Sequence, residues 1–264
     1  MRLGFISDLS EQDFAFAQQE NLEVLEHNIN APEIDAFIDR ERSRELRQLM
    51  EKYGRKITAI GWFGRERISD DREVREKEQA DAKRLIDFCR MMEVPTFVCG
   101  AGKGEGLPFE EKCQRAIDVL GELVEYGLQR GVNVALYNCR WGNFAYGPEA
   151  WEVILPAVPN RGMKYDPSHA IYEGADYLKE TRDWGHKFYH AHAKGTLIID
   201  GKPFEDPPAG MDQTNWGAFL AVLYAKNYRG DLVIEPHAHT WLGSRFYGGI
   251  RIAANHLRQF IVDY

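Results

Sequence analysis

Residues 96–138 read TFVCGAGKGEGLPFEEKCQRAIDVLGELVEYGLQRGVNVALYN, one complete strand–helix–strand unit. Thr96–Gly100 is a short apolar run, as a strand buried on both faces should be. Phe109–Gln129 carries apolar residues at helical spacing among charged ones, and Gly131 follows where a left-handed helix cap is wanted. Val132–Asn138 is apolar again. Two parallel strands joined through a helix make a βαβ unit.

The same alternation runs outward in both directions. Strands are expected at Leu3–Ser7, Leu22–Asn28 and Ile57–Phe63, and again at Gly162–Asp166, Phe188–Lys194 and Leu232–His237. Helices are expected over Glu33–Tyr53, Arg72–Met92, Gly147–Ala157, Trp216–Asn227 and Gly248–Ile261. Gly230 stands where a second left-handed cap would sit, and Asp212 or Thr214 can cap the helix beginning near Trp216. No Ser- or Gly-rich linker divides the chain. Eight strand–helix units in 264 residues is the arithmetic of a (β/α)8 TIM barrel, so a single barrel domain over residues 1–264 is expected. A doubly wound sheet would show a Gly-rich fingerprint after its first strand, and LGFISDLSEQD has none.

The chain has 41 Asp+Glu against 33 Lys+Arg, a formal charge of −8, with 44% hydrophobic residues. That is an ordinary globular balance without the basic footprint of a dedicated nucleic-acid binder. Cys89, Cys99, Cys113 and Cys139 include no C-x-x-C pair and read as reduced thiols. The N-terminus reaches charged residues too soon for a secretory segment, and no run approaches the ~20 apolar residues that span a bilayer. A soluble cytoplasmic protein is expected, with no nucleic-acid or membrane partner.

Seven of the eight histidines fall between His169 and His256. Three segments concentrate the chemistry: Tyr165-Asp-Pro-Ser-His169, His190-Ala-His192-Ala-Lys194 and Ile234-Glu-Pro-His237. Each closes an expected strand, which on a barrel is the catalytic face. Singly, each residue has an ordinary explanation: a packed histidine, a turn-forming Asp before Pro, a buried ion-pair partner. Together, Asp166, His192 and Glu235 make a donor set for a divalent cation such as Mn²⁺, Mg²⁺, Co²⁺ or Zn²⁺, with positions left open for substrate or water. His190 and Lys194 share the face of His192 by the two-residue strand period. Trp62, Trp141 and Trp241 fall near strand ends, where an indole can stack on a sugar ring. Arg140 and Lys194 can bind a phosphate, a carboxylate or a developing enolate oxygen. Gly195–Gly210, with Asp200-Gly201 as a hairpin signal, and Arg140–Tyr146 are candidate lids.

YDPSHA, HAHAK and VIEPHAH, in this eightfold order, resemble the xylose isomerase-like TIM-barrel superfamily. Its members include sugar isomerases, ketose 3-epimerases, inosose dehydratases and endonuclease IV-type nucleases. The resemblance spans essentially the whole chain, with its specific motifs from about Asn133 onward. It implies that Asp166 and His192 are the metal ligands of strands 6 and 7, and that Glu235 is both ligand and acid/base on strand 8. His169 resembles the histidine that meets substrate or, in the nucleases, a second metal. The chain departs at strand 5, where the family writes L-E-N and this sequence has Leu136-Tyr137-Asn138. A phenol with an ordinary pKa of ~10 is a poor ligand for a hard cation. Either three protein ligands and water hold the metal, or Asn138, His190 or Glu26 moves in.

The expected activity is a divalent-metal-dependent isomerase or epimerase of a sugar, keto-sugar or polyol, working through an enolate. Glu235, His169, Tyr137 and Lys194 are the expected catalytic groups, and Trp62, Trp141, Arg140 and His190 the expected substrate contacts. A lyase or dehydratase on a keto-sugar or inosose is the alternative, because it shares the first step. A sugar-binding barrel without catalysis and an endonuclease IV-like nuclease stand behind these. Barrels of this kind often pair, so a homo-oligomer is compatible with the sequence.

Overall fold

A computed structural model describes residues 1–262. Eight strands form the barrel wall: β1 (Leu3–Ile6), β2 (Val24–Ile29), β3 (Lys56–Trp62), β4 (Thr96–Cys99), β5 (Asn133–Tyr137), β6 (Gly162–Tyr165), β7 (Phe188–Ala193) and β10 (Leu232–Ile234). They pair in parallel and close in the order β1-β10-β7-β6-β5-β4-β3-β2. Outside lie α1 (Glu11–Gln19), α2 (Arg40–Tyr53), α3 (Arg72–Met91), α4 (Phe109–Leu128), α5 (Pro148–Ala157), α6 (Pro167–Tyr172), α7 (Tyr177–Trp184), α8 (Trp216–Ala225) and α9 (Phe246–Leu257). β8 (Leu197–Ile199) and β9 (Lys202–Glu205) form an antiparallel hairpin after β7. No helix among the described residues is long and apolar enough to cross a membrane.

The core lies between barrel and helices. Outward-facing Phe97, Leu136 and Met163 share one buried cluster with Leu85, Leu120 and Ile154 from the helices. Inside the barrel the wall divides by chemistry. Ala59, Phe63, Val98, Ala135 and Tyr137 make a small apolar cluster on the β3–β5 side. Glu26, Lys164, His190 and His192 are buried on β2, β6 and β7. This division places the charged groups around one part of the barrel mouth.

All eight barrel strands lie where the sequence placed them, seven within a residue or two at each end and β10 ending three residues before the expected His237. Gly131 adopts the left-handed backbone of a helix cap (φ 70°), and Asp200-Gly201 turns the hairpin with φ of 51° and 71°. Three expectations need correction. α2 begins at Arg40 rather than Glu33, because Asp39 accepts the free amides of Glu41 and Arg42. The cap of α8 is Asn215, which accepts from the Ala218 amide. Asp212 instead accepts from Thr196, Thr214 and Trp216, closing the loop after β7. Gly230 is not left-handed. That conformation falls to Asn227, and Gly230 is needed because a Cβ there would stand 2.3 Å from the Tyr189 carbonyl.

Candidate active site

The C-terminal mouth of the barrel opens into a cavity of about 440 Å³. Lys164, His169, His192, Lys194 and Glu235 line it, with Phe63 and Trp141 on the apolar side. It adjoins a second depression of about 780 Å³ between β1, β2 and the loop after β10, and the two share Asn28, Asn30, Glu235 and His237.

Asp166 ends β6 and caps α6. One carboxylate oxygen, Oδ1, accepts from the Ser168 amide at 2.9 Å, which fixes the side chain. The other, Oδ2, is buried with no hydrogen-bond donor. His169 Nε2 lies 3.5 Å from it, and the ammonium groups of Lys164 and Lys194 each 3.8 Å. Burial disfavours charge on this carboxyl, but the ammonium groups of Lys194 and Lys164 outweigh it and hold Asp166 ionised. Burial and the charge of Lys194 push His169 well below its ordinary value, so its ring is neutral.

His192 stands between two carboxylates. Its Nε2 donates to Glu26 Oε2 at 2.8 Å, and its Nδ1 lies 2.7 Å from Glu235 Oε2. His190 Nε2 donates to the same Glu26 oxygen at 2.5 Å. Burial disfavours a proton on His192, yet Glu26 and Glu235 raise its affinity above the ordinary value. Burial disfavours charge on Glu26 and Glu235 as well. The two histidines overcome it at Glu26, and Lys194 with His192 does so at Glu235, so both are ionised.

The donor set fits a divalent cation. Ligand atoms of Asp166, His192 and Glu235 all lie within 4.8 Å of one another, and Asp166 Oδ2 has no other hydrogen-bond use. Glu26 behind His192 is the carboxylate that orients a ligating imidazole from its far nitrogen. Glu26, His190 and His192 also lie within 4.8 Å of one another, but Glu26 Oε2 there is occupied by the two imidazoles. Asn138 offers nothing to a cation, since its amide is spent on the Asp166 backbone at 2.8 and 3.0 Å.

Several expected residues sit elsewhere. Tyr137 is fully buried under Phe63. Its hydroxyl donates to the Trp141 carbonyl at 3.2 Å and accepts from the Gly64 amide, so it does not reach the cavity. Trp62 points outward into the helix layer, donating to the Ala31 carbonyl with Arg67 against its ring. Phe63, the next residue, faces the cavity in its place. Arg140 is paired with Glu173 at the exposed rim. His190 is buried, held by Glu26, and does not line the cavity. Trp241 packs against Gly249 of α9. Trp141 does overhang the cavity, resting on Gly64, whose missing Cβ leaves room for the indole.

Lys164 and Phe63 escaped the sequence reading. Lys164 lies two residues before Asp166, so the strand period puts both on one face. Phe63 follows inward Gly61 by the same spacing.

The two candidate lids are tied down. Asn143 donates to the Tyr137 carbonyl and accepts from the Ala101 amide, pinning the β5 loop to the β4 loop. Asp206, beyond the hairpin, accepts from Tyr172 and from His237 Nδ1, and Glu205 accepts from Thr240.

A closed parallel barrel with carboxylates, histidines and lysines gathered at its C-terminal mouth defines a class of enzyme-like barrels. The chain belongs to the xylose isomerase-like TIM barrel family, whose model matches residues 14–260. The YfiH protein of Bacillus subtilis (strain 168) is 28% identical over 55% of this chain and 52% of its own, so the chain spans about half the length of that relative. Among solved structures, a xylose isomerase domain protein from Planctomyces limnophilus has a TM-score of 0.76 at 18% identity, covering 98% of this chain and 95% of that one. D-allulose 3-epimerase from Methylomonas sp., in complex with D-allulose, gives 0.77 at 15% over 98% and 96%. The probable 3-DHS dehydratase AsbF of Bacillus anthracis gives 0.77 at 16% over 98% and 99%. At these identities the likeness is one of fold.

Proposed function

We propose that this protein is a divalent-metal-dependent isomerase or epimerase of a keto-sugar. The observation that carries the reading is the convergence of Asp166, His192 and Glu235, from the ends of three neighbouring strands, beside a cavity that also offers Phe63 and Trp141. Asp166 Oδ2, His192 Nδ1 and Glu235 would hold the cation, with Glu26 fixing the imidazole. When bound, the cation polarises a carbonyl and its neighbouring hydroxyl and makes the adjacent C–H more acidic.

The protein's own groups do the rest. Glu235 is ionised and reaches the cavity, so it takes the proton. His169 is neutral and lines the same cavity, so its ring N–H hydrogen-bonds a substrate oxygen, while Glu235 in its protonated form returns the proton to the intermediate. Burial disfavours charge on Lys194, but Asp166 and Glu235 hold its ammonium protonated, and it faces the developing negative charge. Phe63 and Trp141 offer apolar faces to the sugar's C–H surface and exclude water from that side.

Cation binding tests the reading without need of the substrate. Mn²⁺ titrated calorimetrically into purified protein should bind one site per chain, and Asp166→Ala and His192→Ala should each weaken it at least about 100-fold. Equal affinity in wild type and variants refutes the cation site. NMR of products from keto-sugars then separates epimerisation from loss of water, which share the same first step.

A further inference from the structure

Lys164 and Lys194 are each 2% exposed and line the cavity. A buried ammonium carries three N–H donors that need acceptors. Among the described residues neither lysine has a hydrogen-bond acceptor within reach; the nearest acid for both is the same oxygen, Asp166 Oδ2, at 3.8 Å. Glu26 Oε2 is taken by His190 and His192, and Glu235 Oε2 by His192. The face of the Tyr172 ring, 5.3 Å from Lys194 Nζ, offers only a weak cation contact.

Asp166 and Glu235 balance the two ammonium charges, yet the ammonium N–H groups are left without a hydrogen-bond acceptor among the described residues. The proposed chemistry employs Lys194 and gives Lys164 no task. We propose that the two ammonium groups seat a substrate carboxylate, so that the substrate is a keto-sugar acid rather than a neutral keto-sugar. A carboxylate supplies two acceptor oxygens, one for each ammonium group, in charge-assisted hydrogen bonds that a neutral hydroxymethyl group does not form. This inference rests on the proposed enolate chemistry for the keto group but is read from binding alone.

The test compares sugars that differ at one terminal carbon. D-Fructuronate against D-fructose, and D-tagaturonate against D-tagatose, exchange a carboxylate for a hydroxymethyl group. Calorimetry on the Mn²⁺-loaded protein should show the acids binding at least about tenfold more tightly. Lys164→Met and Lys194→Met should each reduce that preference to about twofold or less. Neutral sugars binding as tightly as their acids in wild type would overturn the proposal, even if the variants fail to fold. A preference unchanged in both folded variants would overturn it too, as would tighter binding of D-fructose 6-phosphate than of either acid. An acid that binds but exchanges no proton upholds the seat and defeats the catalytic reading. A neutral sugar that is turned over while the acids do not bind does the reverse.

Discussion

Tyr137 and Gly100 explain each other. A Cβ at Gly100 would stand 2.6 Å from the Tyr137 ring, so the glycine at the end of β4 makes room for the phenol on β5. The hydroxyl then ties the loops after β3 and β5 together through Gly64 and Trp141. The expected role of Tyr137 in proton transfer therefore gives way to a structural one. Tyr137→Phe should lower stability by about 1 kcal/mol, the worth of a typical buried hydrogen bond, and leave turnover within about threefold. Urea unfolding and steady-state kinetics measure both, and a hundredfold loss of turnover without loss of stability would contradict this. Glu26 is the opposite case, a buried carboxylate serving two imidazoles. Glu26→Ala should cost about 3 kcal/mol in urea unfolding, because it strands His190 and His192 without their acceptor. A cost below about 1 kcal/mol would show that the pair is not formed.

Among the elements, the strands were legible because several are nearly continuous apolar runs, and the long helices because each carries a repeating apolar stripe. The short helices were not. α1 (EQDFAFAQQ) and α7 (YLKETRDW) hold two to three turns each and are set by caps at Ser10 and Asp176 rather than by periodicity. The ligand-type residues Asp166, His192 and Glu235 could be read from their chemistry alone. The direction of Trp62 against Phe63, and the pairing of His190 with Glu26, depend on strand register across the barrel, which one-dimensional pattern does not contain. The hairpin of β8 and β9 adds an element with its own pH dependence. Its hydrogen bond to Asp206 raises His237 above the ordinary value, outweighing burial. The contribution of that bond is thus complete below about pH 6.5, where a free histidine is protonated, and is lost as pH rises through the elevated value. Hydrogen exchange across residues 195–210 should be faster at about pH 8.5 than at about pH 6 after correction for intrinsic rates, and His237→Phe should remove the difference. Equal protection at both values in wild type would contradict the latch.

Over the whole molecule, the net charge of −8 is spread over a surface where exposed pairs such as Arg72–Glu76 and Lys179–Asp183 contribute little to stability. The barrel mouth has a different balance. There Glu26, Asp166 and Glu235 face Lys164, Lys194 and two buried histidines, all within one wall of an otherwise apolar lumen. That concentration, at the end of the barrel where the strand C-termini meet, is what a site for abstracting a proton beside a carbonyl requires. The most direct test is solvent deuterium incorporation at the carbon next to the keto group, followed by NMR with D-fructuronate and the Mn²⁺-loaded protein. Wild type should exchange that proton, and Glu235→Gln, folded and still binding the sugar acid, should exchange it at least about 1,000-fold more slowly. Exchange at the wild-type rate in Glu235→Gln would contradict the account.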